Sequence, residues 1–118
     1  MSAESQLYAA LSGAAGVTAL VSTRIYPDAV PQEQALPSMA YARIETEYLS
    51  TIHGSSLGQF GTFELVCMAE ARDDADAIAD AVAVVMGAQS WQLQSRRQEF
   101  DSDSNLWGTV LAVRIFST

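Results

Sequence analysis

The chain has 118 residues, enough for one domain around one core, and 49% of them are apolar, too many for a disordered chain. Fourteen acids against six arginines and no lysine give a net charge of −8. That balance excludes the basic patch that neutralises phosphates and disfavours an anionic membrane surface. The single cysteine, Cys67, excludes an intramolecular disulfide, and no apolar run approaches the roughly 18 residues of a membrane span.

An acid, Glu4, stands where a signal peptide would be basic. The expectation is a soluble domain of a reducing compartment, one unit over residues 1–118. Residues Glu4 to Leu11 read as a short helix, because Leu7, Tyr8 and Leu11 make one apolar stripe. After Gly13 and Gly16, Val17, Leu20 and Val21 suggest a second helical turn. Arg24-Ile25-Tyr26 reads as a short extended piece, since Pro27 disfavours helix before it. Asp28 to Pro37 holds two of the three prolines and reads as loop.

Ser38 to Leu49 alternates as a half-buried strand does. Ala40, Ala42, Ile44, Thr46 and Tyr48 share one face; Tyr41, Arg43, Glu45 and Glu47 share the other. Gly54, Ser55, Ser56, Gly58 and Gly61 predict a flexible hairpin loop over about residues 50–61. The next strand runs from about Gln59 to Glu70, with Phe63, Leu65, Cys67 and Ala69 on one face and Thr62, Glu64, Val66 and Met68 on the other.

Asp73 to Ala88 is the clearest helix, with Asp73 or Asp74 as cap and Gly87 as terminator. Asp73, Asp76 and Asp80 stack on one side, and Ala75, Ile78, Ala79, Val82, Val85 and Met86 on the other. Ser90 to Phe100 reads as a strand entering the core through Trp91 and Leu93, Asp101 to Asn105 as a turn, and Leu106 to Phe116 as the last strand. The sum is an α+β fold: a four-stranded antiparallel sheet with helices packed on one face, in the order helix-strand-strand-helix-strand-strand.

Catalytic and ligand-binding patterns are weak. His53 near Ser55 and Ser56 lacks a nucleophile elbow and sits in a Gly/Ser loop. Cys67 lies mid-strand on an apolar face, where a thiol is a small buried hydrophobe. Asp101-x-Asp103-x-Asn105 opens like a calcium loop, but Leu106 and Ala112 stand where that loop needs glycine and glutamate. Three aspartates on one helix, without a second liganding segment, read as a solvated face. No phosphate-binding loop exists without lysine. The reading is no enzyme, no cofactor and no metal.

Two surplus features point to a partner. The strand face away from the helices keeps Val66, Met68, Val110, Ala112 and Phe116, where clean alternation is normal. The long helix also carries a second row of small residues, Ala77, Ala81, Val84 and Ala88, which lets another backbone approach. Ala77, Ala81, Val84, Val66 and Met68 are therefore the candidate subunit contacts. The long hairpin loop, with Leu57 and Phe60 among glycines and serines, is a segment expected to order itself on a partner. A sheet that curls and buries both faces is the alternative.

Several segments resemble the small tail-completion, or tail-terminator, proteins of long-tailed bacteriophages. The resemblance rests on Val17 to Val21, then Arg24-Ile25-Tyr26-Pro27, then Leu36-Pro37 before a Tyr-containing strand. The Gly/Ser-rich loop, the helix Ala75-Asp76-Ala77-Ile78-Ala79-Asp80-Ala81-Val82 and the final strand pair fit as well. The polar stretch Gln92 to Gln98 departs from it. What the resemblance implies is a ring, usually of six copies, that caps the tail tube, stops its growth and docks the head connector. The partners would be self, the tail-tube protein and the connector or stopper protein, with Ile52, His53, Leu57 and Phe60 of the hairpin loop as the candidate contact to the tail tube. No membrane is implied, and no nucleic acid beyond DNA passing through the lumen. The place would be the virion tail or neck, after assembly in the host cytoplasm. Another neck-ring component, such as a head-completion or stopper protein, is the alternative in the same class; a small hydrolase using His53 or Cys67 is the alternative in another.

Overall fold

The computed structural model describes residues 2–30, 35–50, 54 and 56–117. Three helices and five strands follow the order α1 (Ala3–Ser12), α2 (Ala15–Val21), β1 (Ile25–Pro27), β2 (Ser38–Ser50), β3 (Ser56–Ala69), α3 (Arg72–Ala88), β4 (Gln92–Asp101) and β5 (Leu106–Ser117). The strands form one sheet in the order β1-β2-β3-β5-β4. The α+β class stands, but the sheet is five-stranded and mixed rather than four-stranded and antiparallel. The added strand is β1, which runs parallel to β2 with Ile25 beside Met39. Backbone bonds fix it: Met39 N–H donates to the Arg24 carbonyl at 3.0 Å, and Asp28 N–H donates to the Tyr41 carbonyl at 2.8 Å.

One core lies between the helices and one sheet face. Leu7 and Leu11 of α1, Val17 and Val21 of α2, and Ile78, Val82 and Met86 of α3 meet Phe63, Leu65, Cys67, Leu111, Val113 and Ile115. Each large side chain buried this way contributes about 1.5–3 kcal/mol. The helix ends follow local chemistry. The Ser2 hydroxyl accepts from Ser5 N–H at 3.2 Å and caps α1. The cap position of α3 is Ala71, without a side-chain bond, so Asp73 and Asp74 sit inside the first turn and act through the helix dipole instead. Gly87 does not end α3. The stop comes at Ser90, with φ of 59°. Trp91 N–H reaches the Met86 carbonyl and Ser90 N–H the Gly87 carbonyl, the two bonds of a Schellman ending. Trp91 then packs on the core.

Two expectations about β2 and β3 change. A register shift between Arg43 and Glu45 makes Ile44 a bulge residue. Past it the faces exchange, because an extra residue moves every later side chain across the sheet. Thr46 and Tyr48 thus join the helix side with Tyr41 and Arg43, while Glu45, Glu47 and Leu49 join Ala40 and Ala42 on the open side. In addition, most of the stretch expected as loop is strand. Gly58 pairs with Leu49 of β2, Gln59 pairs with both Tyr48 and Ser117, and β3 starts at Ser56. Ladders on both sides of β3 override the poor strand propensity of glycine. At Gly58 the residue type is required: φ is +134°, and a Cβ would stand 2.8 Å from Phe116 Cζ and from the Ser117 carbonyl.

Candidate assembly surface

The β2–β3 hairpin runs past the core. From Phe63, the first core residue of β3, back to Ser56 the strand covers about 23 Å at strand rise. The molecule is correspondingly long, 52 × 29 × 22 Å. This arm carries Tyr48 (76% exposed), Leu57 (57%), Ile44 (56%) and Phe116 (45%). Arm side chains are nevertheless ordered on the open face. Phe60 and Phe116 meet edge to face at 5.2 Å. The Arg114 guanidinium lies 3.8 Å from the Phe60 ring centre and donates to Glu47 at 2.8 Å. A cation held between a ring and a carboxylate pins three strands together.

The candidate contact residues divide. Val84 is 73% exposed on α3, whereas Ala77 and Ala81 are half-buried, and Ala81 packs against the core. Val66 and Met68 are half-buried on the open sheet face; they line a depression of about 120 Å³ with Glu99, Asp101, Leu106, Trp107 and Gly108. The five residues therefore form two surfaces on opposite sides of the sheet, not one. Leu57 and Phe60 lie on the arm, Leu57 bare and Phe60 half-covered. Ile52 and His53 lie outside the described residues.

The acidic side of α3 is not merely a solvated face. Arg96 of β4 donates to Asp80 at 2.8 Å and to Asp76 at 3.2 Å. The Asp76 carboxylate also accepts from Gln98 at 3.1 Å and from Thr109 at 3.2 Å. The Arg96 hydrogen bond, with Thr109 and Gln98, holds the Asp76 carboxyl below its ordinary range. Sequence reading missed this clamp, although the i, i+4 spacing of Asp76 and Asp80 opposite an arginine-bearing strand was its signal. Among the described residues, no group of three or more His, Cys, Asp and Glu is placed to hold a metal.

Chemistry elsewhere is structural. Burial pushes the Cys67 thiol up to about 12, which removes the thiolate a nucleophile needs. Asp101 accepts from Asp103 N–H at 3.0 Å and from the Ser104 hydroxyl at 2.9 Å, and Asn105 takes φ of 61°, so this segment is a hairpin turn. Every arginine is engaged within the chain: Arg24 with the Pro37 carbonyl, Arg43 with Glu4, Arg72 over Trp107, Arg96 with Asp76 and Asp80, Arg97 with Glu64 and Glu99, and Arg114 with Glu47.

Such a molecule, with ordered apolar surface on a projecting arm, is an assembly subunit. The chain belongs to the family of tail completion protein gp17, whose model matches residues 5–117. It is thus a structural protein of the phage virion tail and not an enzyme. A chain in the virion of the native gene transfer agent (GTA) particle shares the fold, with a TM-score of 0.71 at 20% identity over 93% of this chain and 90% of that one. No curated protein matches.

Proposed function

We propose that this chain is the tail terminator: a ring of identical copies, six by family resemblance, that caps the tail tube, halts its elongation and offers its other surface to the head connector. The observation that supports this reading best is the arm, whose exposed Tyr48, Leu57 and Phe116 are costly to leave bare in a family of assembly proteins. Leu57 and Phe60 on the arm, with Ile52 and His53 of the same hairpin sequence, are the part that meets the tube. Open-face residues Val66 and Met68 and the α3 row of Ala77, Ala81 and Val84 are the surfaces left for neighbouring subunits and the connector. The neck and tail of the virion are then the working place, reached from the host cytoplasm.

A tube-growth assay tests this. Tail-tube protein polymerising with the wild-type chain should yield short, capped tubes. Leu57→Asp adds a charge at an exposed position, so the fold should persist while capping weakens. Capping that is unchanged by Leu57→Asp removes the tip from the tube contact. Tubes that grow equally with and without the wild-type chain contradict termination itself.

A further inference from the structure

The sheet has two free edges, and they are complementary. β1 covers β2 only at Met39 to Tyr41, so Glu45 to Leu49 lacks a backbone partner on that side among the described residues. β4 closes the other end of the sheet and offers Ser95 to Asp101 beyond its own bulge. Unpaired strand edges are templates for another strand. We infer that β4 of one copy adds, antiparallel, to the distal half of β2 in the next copy, so that the sheet continues around the ring. This inference rests on the ring reading above and locates its subunit contact.

Four observations carry it. The first is polarity. β2 is antiparallel to β3, β3 to β5 and β5 to β4. Hence β4 and β2 point in opposite directions, as antiparallel addition with the helices kept on one side requires.

The second is the direction of the free backbone groups. Met39 donates, and Tyr41 accepts, toward the β1 side. In β2, therefore, residues with helix-side side chains aim their backbone outward. Past the bulge these are Thr46 and Tyr48. Opposed residues in antiparallel pairs aim both toward or both away from each other, and following the registers across the sheet makes Arg96, Gln98 and Phe100 the outward residues of β4. Both edges thus present donors and acceptors from helix-side residues, and a continued ladder keeps both faces in phase.

The third is what lines these edges. Tyr48 and Ile44 are bare beside one; Leu93 and Phe100 are bare beside the other. Val84, 73% exposed, stands one helical turn past Asp80, in the α3 row that faces β4. On the open face, Glu45 and Glu47 of β2 come beside Arg97 of β4, joining the Arg114–Glu47 pair to the Arg97–Glu64–Glu99 cluster. Pairing β2 with β2 would instead set these acids near one another.

The fourth is closure. Tyr41, Leu65, Leu111 and Arg96 lie level across four strands. Setting Glu47 opposite Arg97 brings Tyr48 of the next copy opposite Arg96, Thr46 opposite Gln98, and leaves Met39 to Tyr41 to β1. The stagger per copy is then about six residues, counted along β3. With strands about 4.8 Å apart and about 3.3 Å per residue, the strands tilt by roughly 45°, within the range of closed barrels.

The experiment compares native mass against concentration for the wild type, Thr46→Ala and Thr46→Pro. Proline removes an outward N–H that β3 does not use, and edge strands tolerate it. Thr46→Ala should assemble as the wild type does. Thr46→Pro should keep its circular dichroism and need about tenfold more protein to assemble. Arg97→Glu gives a second route: it should weaken assembly, and adding Glu45→Arg, which leaves the Glu47–Arg114 pair in place, should restore it, which a folding defect would not allow. Rings unaffected by Thr46→Pro and by Arg97→Glu overturn the edge contact while leaving the ring reading intact. A wild type that forms no ring, alone or on tail tubes, overturns both.

Discussion

Arg96 and Asp80 join an edge strand to a helix: the guanidinium crosses from β4 to α3 and donates to the carboxylate at 2.8 Å. Among the described residues, β4 has a neighbouring strand on one side only, and none of its side chains is fully buried. Its position depends on the β5 ladder and on this clamp. Both ions are partly exposed, so the pair contributes at most about 1 kcal/mol. Arg96→Ala should therefore cost little global stability but raise hydrogen exchange along Gln92 to Asp101. Unchanged exchange there would show that the clamp does not hold the strand.

Acid should loosen the same clamp. The Asp76 carboxyl lies below its ordinary 3.8 because Arg96, Thr109 and Gln98 bond its charged form. A carboxyl with a folded value below its unfolded one stabilises the fold above the unfolded value. That contribution is lost as pH falls through 3.8 and then through the lower folded value. Urea unfolding of wild type and Asp76→Asn at pH 7 and pH 3 checks the sign: the wild type should lead at pH 7, and the gap should shrink at pH 3. A gap that widens in acid would contradict the clamp.

Ser90 holds φ of 59° at the end of α3, a conformation that suits glycine better. Ser90→Gly should raise stability by about 0.5–1 kcal/mol, visible as a small upward shift in melting temperature. A fall would mean that the serine side chain contributes more than the backbone strain costs.

Gly58 tests the arm. A methyl group there meets the Phe116 ring and the Ser117 carbonyl at 2.8 Å, at a φ closed to other residues. Gly58→Ala should cost about 1–3 kcal/mol and release the Phe60–Phe116 pair, with loss of tube capping. Full stability in that variant would show that the end of β5 moves aside without cost.

Cys67 should behave as a core atom. Its thiol, pushed up to about 12 by burial, should resist an aromatic disulfide reagent at pH 8 until denaturant is added. Fast labelling of the folded protein would contradict its burial and reopen a thiol chemistry.

Much of this fold was legible from residue patterns, and the failures have physical reasons. The core faces of β3, β5 and α3 follow from period-two and period-3.6 spacing, because burial enforces those periods. β1 was seen only as an extended piece, since three residues carry no period and parallel pairing leaves no local mark. The bulge at Ile44 was invisible because alternation continues through it in sequence while the faces exchange in space. Gly58 and Gly61 read as loop because propensity describes an isolated chain, whereas strands on both sides hold them. The candidate contact residues stand out in the sequence as surplus apolar character, but their division between α3 and the open face does not. That division depends on which side of the sheet the helices cover, and Tyr48 was missed because the bulge decides its side.

The most direct test of the central claim is electron microscopy of the wild-type chain mixed with tail tubes, alongside native mass over a wide concentration range. The account predicts a ring of identical copies seated on one end of each tube, with tube length fixed once it binds. Copies that remain single at every concentration and leave the tube ends bare would contradict it.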